Sequence, residues 1–302
     1  MIDLQRIIKN PETIILSLNN HGLLNMFSDR MHTKLVFRAS FNRNLDLEAP
    51  QTFNEKIQWL KLYDRNPLYT RLVDKYAVKE FVSERIGEQY VVPTYGIWNN
   101  FDNINFDLLP NQFVLKTTHD GGGAGVIICP NKTDLDKVKA RKSIQESLAR
   151  DVYKELREWP YKDVPHRVLA EKLLLNNGLP LQDFKIHCFN GIPKLILVCK
   201  DRYETTGLTE DFYDCEWKHI PVKRPKHPNS KESIEAPSEL SEMLDLARRL
   251  SVGIPFVRTD FYVSNAKVYF GEMTFYPTSG FTNFVPDSYD KLFGNWLELP
   301  SK

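Results

Sequence analysis

The stretch Phe256–Gly280, FVRTDFYVSNAKVYFGEMTFYPTSG, constrains the chain more than any other part of it. Two runs rich in β-branched and aromatic residues flank Ser264-Asn265-Ala266, so the segment reads as a β-hairpin. Side chains alternate along a strand, which puts Arg258 and Asp260 on one face and, on the returning strand, Glu272 and Thr274 on one face. With the turn at Ser264–Ala266 those faces coincide and the two carboxylates become near neighbours. Like charges that close are costly unless a cation lies between them. Such an oxygen-rich pair suits Mg2+, which takes few protein carboxylates and completes its shell with water and phosphate. A solvated face bearing ordinary charges satisfies the same pattern, and the hairpin alone does not choose.

A second constraint is NQFVLKTTHDGGGAGVIIC, residues 111–129. An apolar strand ending at Lys116, four glycines within five residues, and a further apolar strand form a hairpin whose turn is looser than a hairpin needs. Consecutive N–H groups unobstructed by Cβ atoms, at Gly121, Gly122 and Gly123, can wrap an oxyanion, and Lys116 adds a point charge. The spacing is not that of a P-loop, so a flexible surface turn is the competing reading.

Elsewhere, TFNEKIQWLKLYD opens with a capping box, Thr52 and Glu55, and continues with Phe53, Ile57 and Leu60 at helical spacing. The apolar stripe Val73, Ala77 and Phe81 predicts one helix over 72–85, and the charged stretch 133–157 predicts a solvated helical region. RVLAEKLL reads as a strand, and DFKIHCFNGIPKLILVCK as a hairpin turning at Asn190-Gly191. SELSEMLDLARRL predicts a helix packing Leu240, Met243, Leu244, Ala247 and Leu250 on the reverse side of the last hairpin. Residues 222–237, rich in proline and charge, mark a loop. The order is mixed, an α+β fold with antiparallel hairpins in the middle and at the end.

Lys plus Arg (40) nearly balances Asp plus Glu (39), which argues against a nucleic-acid partner. Cys129, Cys188, Cys199 and Cys215 lack CxxC spacing, and with no signal-peptide pattern they point to a reducing cytoplasm. The N-terminal LQRIIKNPETIILSLNNHGLL is interrupted by Asn and Pro and reads as a packing helix in preference to a membrane anchor.

Taken together, VDKYAVKEFV, FVLKTTHDGGGAGVII, AEKLL and RTDFY…YFGEMTFYPTSGF resemble the ATP-grasp superfamily, whose members clasp ATP between two antiparallel α+β lobes. TFNEKIQWLKLYDRNPL, DFYDCEW, FVRTDFY and YFGEMTFYPTSGF are similar, more closely, to the TupA-like ATP-grasp family of teichuronopeptide biosynthesis, from about Lys34 to the C-terminus. The resemblance implies that Lys75 and Lys116 contact nucleotide phosphates under a lid of Gly121, Gly122 and Gly123. It places Glu171, Lys172 and Leu173 at the adenine edge, Asp183 at the ribose hydroxyls and Lys185 at a phosphate or acyl group. Asp260 and Glu272 match the metal carboxylates, and Arg258 the arginine that steadies the transferring group. Thr274 stands where the wider superfamily commonly has asparagine, so a hydroxyl would replace an amide oxygen among the metal ligands.

The resemblance further implies four parts: a helical N-terminal extension and cap (1–69), an N-terminal α/β part (70–110), a glycine-loop lid lobe (111–175) and a C-terminal lobe carrying the metal site (176–302). The activity expected is an ATP- and Mg2+-dependent carboxylate–amine ligase working on sugar-linked acids and amines of a surface polysaccharide. Its expected place is the cytoplasm, with contact to membrane-bound polysaccharide machinery left open. A sugar kinase, a glycosyltransferase and a nucleotide-binding subunit of polysaccharide assembly are the alternatives, the second disfavoured by the lack of a DxD motif. For the acceptor, His119, Asp120, Arg202, Tyr203 and Ser279 are candidates.

Overall fold

The computed structural model describes residues 12–121, 123, 125–176, 181–200 and 207–301. Gly122, Arg202 and Tyr203 therefore lie outside the described residues. The described part opens with helices α1 (Glu12–Asn20), α2 (Asp29–Phe41) and α3 (Phe53–Tyr63). The capping box at α3 forms as its sequence requires: Thr52 Oγ1 accepts from Glu55 N while Glu55 accepts from Thr52 N.

The helix expected over 72–85 is broken into α4 (Leu68–Val73) and α5 (Val78–Ile86). Asp74 causes the break, because its carboxylate accepts from the backbone N–H groups of Tyr76 (2.8 Å) and Ala77 (3.2 Å) and so offers the chain a turn in place of a helix. Lys75 is carried in that turn. The charged stretch 133–157 is likewise two helices, α6 (Lys137–Leu148) and α7 (Val152–Leu156), the second capped by Asp151.

Strands β1 (Thr94–Trp98), β2 (Phe113–Thr117), β3 (Val126–Cys129) and β4 (Val168–Lys172) form an antiparallel sheet in the order β1-β4-β2-β3. Ala140 and Ile144 of α6 seal its small core against Phe113, Leu115, Val168 and Ala170. A larger sheet of β5 (Asp183–Phe189), β6 (Ile192–Lys200), β7 (Thr209–Tyr213), β8 (His219–Ile220), β9 (Phe256–Ser264) and β10 (Lys267–Thr274) runs β10-β9-β5-β6-β7-β8. Asn190-Gly191 and Asn265-Ala266 all have positive φ, as two-residue hairpin turns matched to strand twist require.

Helix α8 (Leu240–Leu250) covers the reverse of this sheet, and buries Met243, Leu246, Ala247 and Leu250. Leu240 and Leu244, expected on that stripe, are only half-buried, and Leu246 takes the inner position. On the other side, α3 packs with α9 (Ser288–Trp296), so the major core runs from α2–α5 across the larger sheet to α8. All four cysteines are free.

Candidate functional site

Arg258, Asp260, Glu272 and Thr274 share one face of the larger sheet, for a reason that alternation alone does not supply. The β9–β10 turn is a residue shorter than the sequence suggests, with Ser264 pairing Lys267. That register by itself would send Glu272 and Thr274 to the opposite face. A bulge between Phe270 and Glu272 inserts Gly271 and restores them, pairing Glu272 with Asp260 and Thr274 with Arg258. The backbone crowds there: a Cβ on Gly271 would stand 3.1 Å from the Asp260 carbonyl. β5 adds Lys185 opposite Asp260 and His187 opposite Arg258.

Arg258 is the hub of this face. Its Nε and Nη2 donate to Asp260 Oδ1 and Oδ2, each at 2.7 Å, and Nη2 also reaches Glu272 Oε1 (3.1 Å) and Thr274 Oγ1 (3.0 Å). Lys185 Nζ lies 2.5 Å from both Asp260 Oδ2 and Asp183 Oδ2. Burial alone would favour neutral Lys185 and Arg258, but the neighbouring carboxylates outweigh it and hold both firmly protonated. Burial likewise pushes the Glu272 carboxyl up, and the surrounding Lys75, Arg258, Lys185 and Lys116 overcome it and bring it down to about 2. Glu272 is thus a carboxylate in a strongly cationic field.

The smaller sheet contributes a second charged cluster. Glu171 at the end of β4 is buried between Lys79 and Lys116, 2.6 Å from each ammonium. Lys75 donates to the Asp120 carbonyl and feels Glu272 and Lys116, so the charges of the two sheets face one another. Lys172 is exposed and its backbone N–H is already given to Pro93 O, while Leu173, just past β4, is half-buried.

His119 and Asp120 prove to be internal anchors and not open acceptor residues. His119 is buried and stacks on His166 with ring centroids 3.5 Å apart. Asp120 is buried and accepts from Ser147 Oγ and Arg150 Nη1, each at 2.6 Å, and from Gly121 N at 2.7 Å. The Gly121 N–H is therefore given to Asp120 in this structure. Gly123, with φ +84°, keeps the glycine-only backbone that a phosphate cradle uses.

The residues fit a Mg2+ ion by their chemistry. Among the described residues Asp260 Oδ2 accepts two hydrogen bonds and Oδ1 one, from Arg258 Nε. Glu272 Oε2 accepts none among the described residues, and its side chain is 36% exposed. A half-exposed Glu272 oxygen beside the buried Asp260 carboxylate is a hard-oxygen pair that suits an ion keeping phosphate and water in its shell. No group of three or more His, Cys, Asp or Glu able to hold a metal occurs among the described residues, so the ion would need the phosphate to complete its site.

The family profile of TupA-like ATP-grasp proteins matches residues 55–298. The chain belongs to the TupA-like ATP-grasp family. As a member it has the ATP-grasp fold, here an α+β arrangement of two antiparallel sheets. Among solved structures it is similar to the D-alanine–D-alanine ligase of Bacillus anthracis (19% identity, TM-score 0.42, 74% of this chain and 62% of that one). It is also similar to that of Helicobacter pylori (14%, 0.41, 82% and 69%). A third likeness is the ATP-grasp ligase PsnB with minimal precursor, Mg and ADP (11%, 0.39, 74% and 57%). These likenesses are too distant to transfer chemistry, and this TupA-like chain spans only part of those ligases. Among curated proteins, none matches it.

Several site residues of this TupA-like protein escape its sequence pattern. Lys79, one helical turn beyond Lys75, is a visible signal in DKYAVKEF, as is His187 by alternation from Asp183 and Lys185. Glu158, Lys61 and Gln58, which meet at Ser279, give no local signal because their partners lie more than a hundred residues away.

Proposed function

We propose that this chain joins a carboxylate to an amine at the expense of ATP through an acyl phosphate, acting on a uronic acid of a surface or capsular polysaccharide. The observation that supports this best is the convergence of Arg258, Asp260, Glu272, Thr274 and Lys185 on one sheet face whose charges couple to Lys75 and Lys116. Phosphoryl transfer demands mainly positioning and charge neutralisation, which such a face provides without a covalent nucleophile.

Lys75 and Lys116 hold phosphate oxygens in this reading. Glu171 with the Leu173 backbone meets the adenine edge, and Asp183 the ribose. Arg258, kept protonated by Asp260, steadies the transferring group, and Lys185 neutralises charge beside it. A magnesium ion, when bound, would neutralise phosphate charge, held by Asp260 and Glu272 with Thr274 near it. The family's link to teichuronopeptide synthesis makes uronic acids the first carboxylates to try. The partners proposed are sugar-linked acids and amines, with peripheral contact to membrane-bound assembly machinery; no helix among the described residues is long and apolar enough to cross a membrane.

Incubation with ATP, Mg2+, uronic acids and amino acids should release ADP and phosphate and give an amide detectable by mass spectrometry. ADP with a stable phosphorylated sugar would establish a kinase instead. Nucleotide binding without turnover would leave a nucleotide-binding subunit.

A further inference from the structure

Just past β10 the chain makes a turn in which three successive residues, Thr278, Ser279 and Gly280, have φ of 51°, 54° and 71°. Left-handed backbone at a non-glycine residue costs about 1 kcal/mol or more and persists only where the surroundings hold it. Helix α3 does the holding. Gln58 Nε2 donates to the carbonyls of Ser279 (2.9 Å) and Gly280 (2.8 Å), and the fully buried Lys61 donates to Ser279 O (3.1 Å). A Cβ on Gly280 would stand 2.5 Å from Gln58 Nε2, so the turn and the helix fit without slack.

The fixed turn aims the Ser279 hydroxyl at one group, Oε1 of Glu158. Glu158 follows α7 and is half-buried, and its Oε2 makes no hydrogen bond among the described residues. The charged and titratable groups around it are Lys61 of α3, Arg258 of β9, Glu155 of α7, Tyr161 and Tyr276. Burial raises its proton affinity, with Ser279, Lys61 and Arg258 opposing. The turn adjoins the site, since Pro277, Thr282 and Arg224 line one cavity with Arg258, and Arg224 Nη1 holds Thr278 Oγ1 at 3.2 Å. None of the steps described above uses this carboxylate.

We propose that Glu158 is the base for the second substrate, with Ser279 as its positioning residue. The lone pair of the neutral amine forms the C–N bond. The bond from acyl carbon to phosphate oxygen breaks, with its electron pair leaving on phosphate, and the nitrogen's proton passes to Glu158 Oε2. This rests on the ligase reading.

The test compares two nucleophiles, using the full chain with ATP, Mg2+ and glucuronate. Hydroxylamine, a weakly basic nucleophile whose nitrogen gives up its proton readily to water after attack, traps an acyl phosphate as hydroxamate without help from a protein base; the twenty amino acids, whose more basic nitrogens hold that proton, need the help. Glu158→Gln retains an oxygen for Ser279 to donate to. It should slow amide formation by about 10²-fold, the lower range for a lost general base, with hydroxamate formation unchanged within about twofold. Both proteins should lose amide rate on acidification as the amine substrate protonates, and the wild type should lose more as its carboxylate also protonates, so the ratio of wild-type to Glu158→Gln rates should shrink toward one. Ser279→Ala should lower the amide rate less than Glu158→Gln does. Equal loss with both nucleophiles, or loss with neither, would overturn the proposal. No hydroxamate from the wild type would instead overturn the ligase reading, and the base along with it.

Discussion

Arg258 and Asp260 stand two residues apart on β9 and meet through two parallel hydrogen bonds of 2.7 Å. A flexible arginine is thereby fixed across the sheet, where it also reaches Glu272 and Thr274. Asp260 is only 1% exposed and is shared with Lys185, so it balances two buried cations.

Asp260→Asn should therefore destabilise the protein strongly, because it leaves Arg258 and Lys185 under-compensated. The expected loss is about 3 kcal/mol, seen as a lower urea midpoint at unchanged m-value. A variant as stable as the wild type would show that Asp183 and Glu272 suffice to balance both cations.

Stability should fall on acidification in two separable steps. His187 is lowered to about 3 by burial, with Arg258 adding to the effect, so the folded form resists a proton that the unfolded chain accepts. Its contribution is lost as pH falls from about 6.5, the ordinary histidine value, toward 3. Glu272, lowered from 4.5 to about 2, contributes stability fully present above 4.5 and lost as pH falls through 2. In urea titrations, His187→Gln should flatten the slope beginning near 6.5, and Glu272→Gln only the part below 4.5.

Gly121 and Gly125 should differ sharply although both belong to the glycine loop. A Cβ at Gly121 meets nothing within 4 Å, so Gly121→Ala should change stability by less than about 0.5 kcal/mol. Gly125 has φ +65°, and its Cβ would stand 2.3 Å from Ser147 Oγ, which is bonded to Thr117. Gly125→Ala should cost about 2 kcal/mol or more, read as a lower Tm.

Asn54 ties α3 to the segment after the strained turn. Its Nδ2 donates to Thr282 O (2.8 Å) and Asp290 Oδ1 (2.9 Å), and its Oδ1 accepts from Thr282 N (3.0 Å), all buried. Asn54→Ala leaves buried groups without partners and should cost about 3 kcal/mol by chemical denaturation.

Local periodicity carried much of this structure. The Thr52–Glu55 box, the turn at Asn190-Gly191, and the shared face of Arg258 and Asp260 all follow from neighbours within a few residues. The Gly271 bulge was not readable, because a glycine in a strand signals a bulge without fixing which way the register shifts. Asp74 breaks a helix by competing for backbone N–H groups, and apolar spacing is blind to that competition. Asp120, an acceptor candidate beside four glycines, is buried through Ser147 and Arg150, some thirty residues on. Glu158, Lys61 and Ser279 meet only after folding, so no window of sequence could join them.

The central claim is that Asp260 and Glu272 together hold a divalent ion that carries a nucleotide triphosphate. Isothermal titration of a non-hydrolysable ATP analogue, with and without millimolar Mg2+, tests it most directly. One binding site that requires Mg2+, and that weakens at least about tenfold in Glu272→Gln, the equivalent of about 1.4 kcal/mol, is the result predicted. Absent binding, or binding indifferent to both the ion and the substitution, would contradict it.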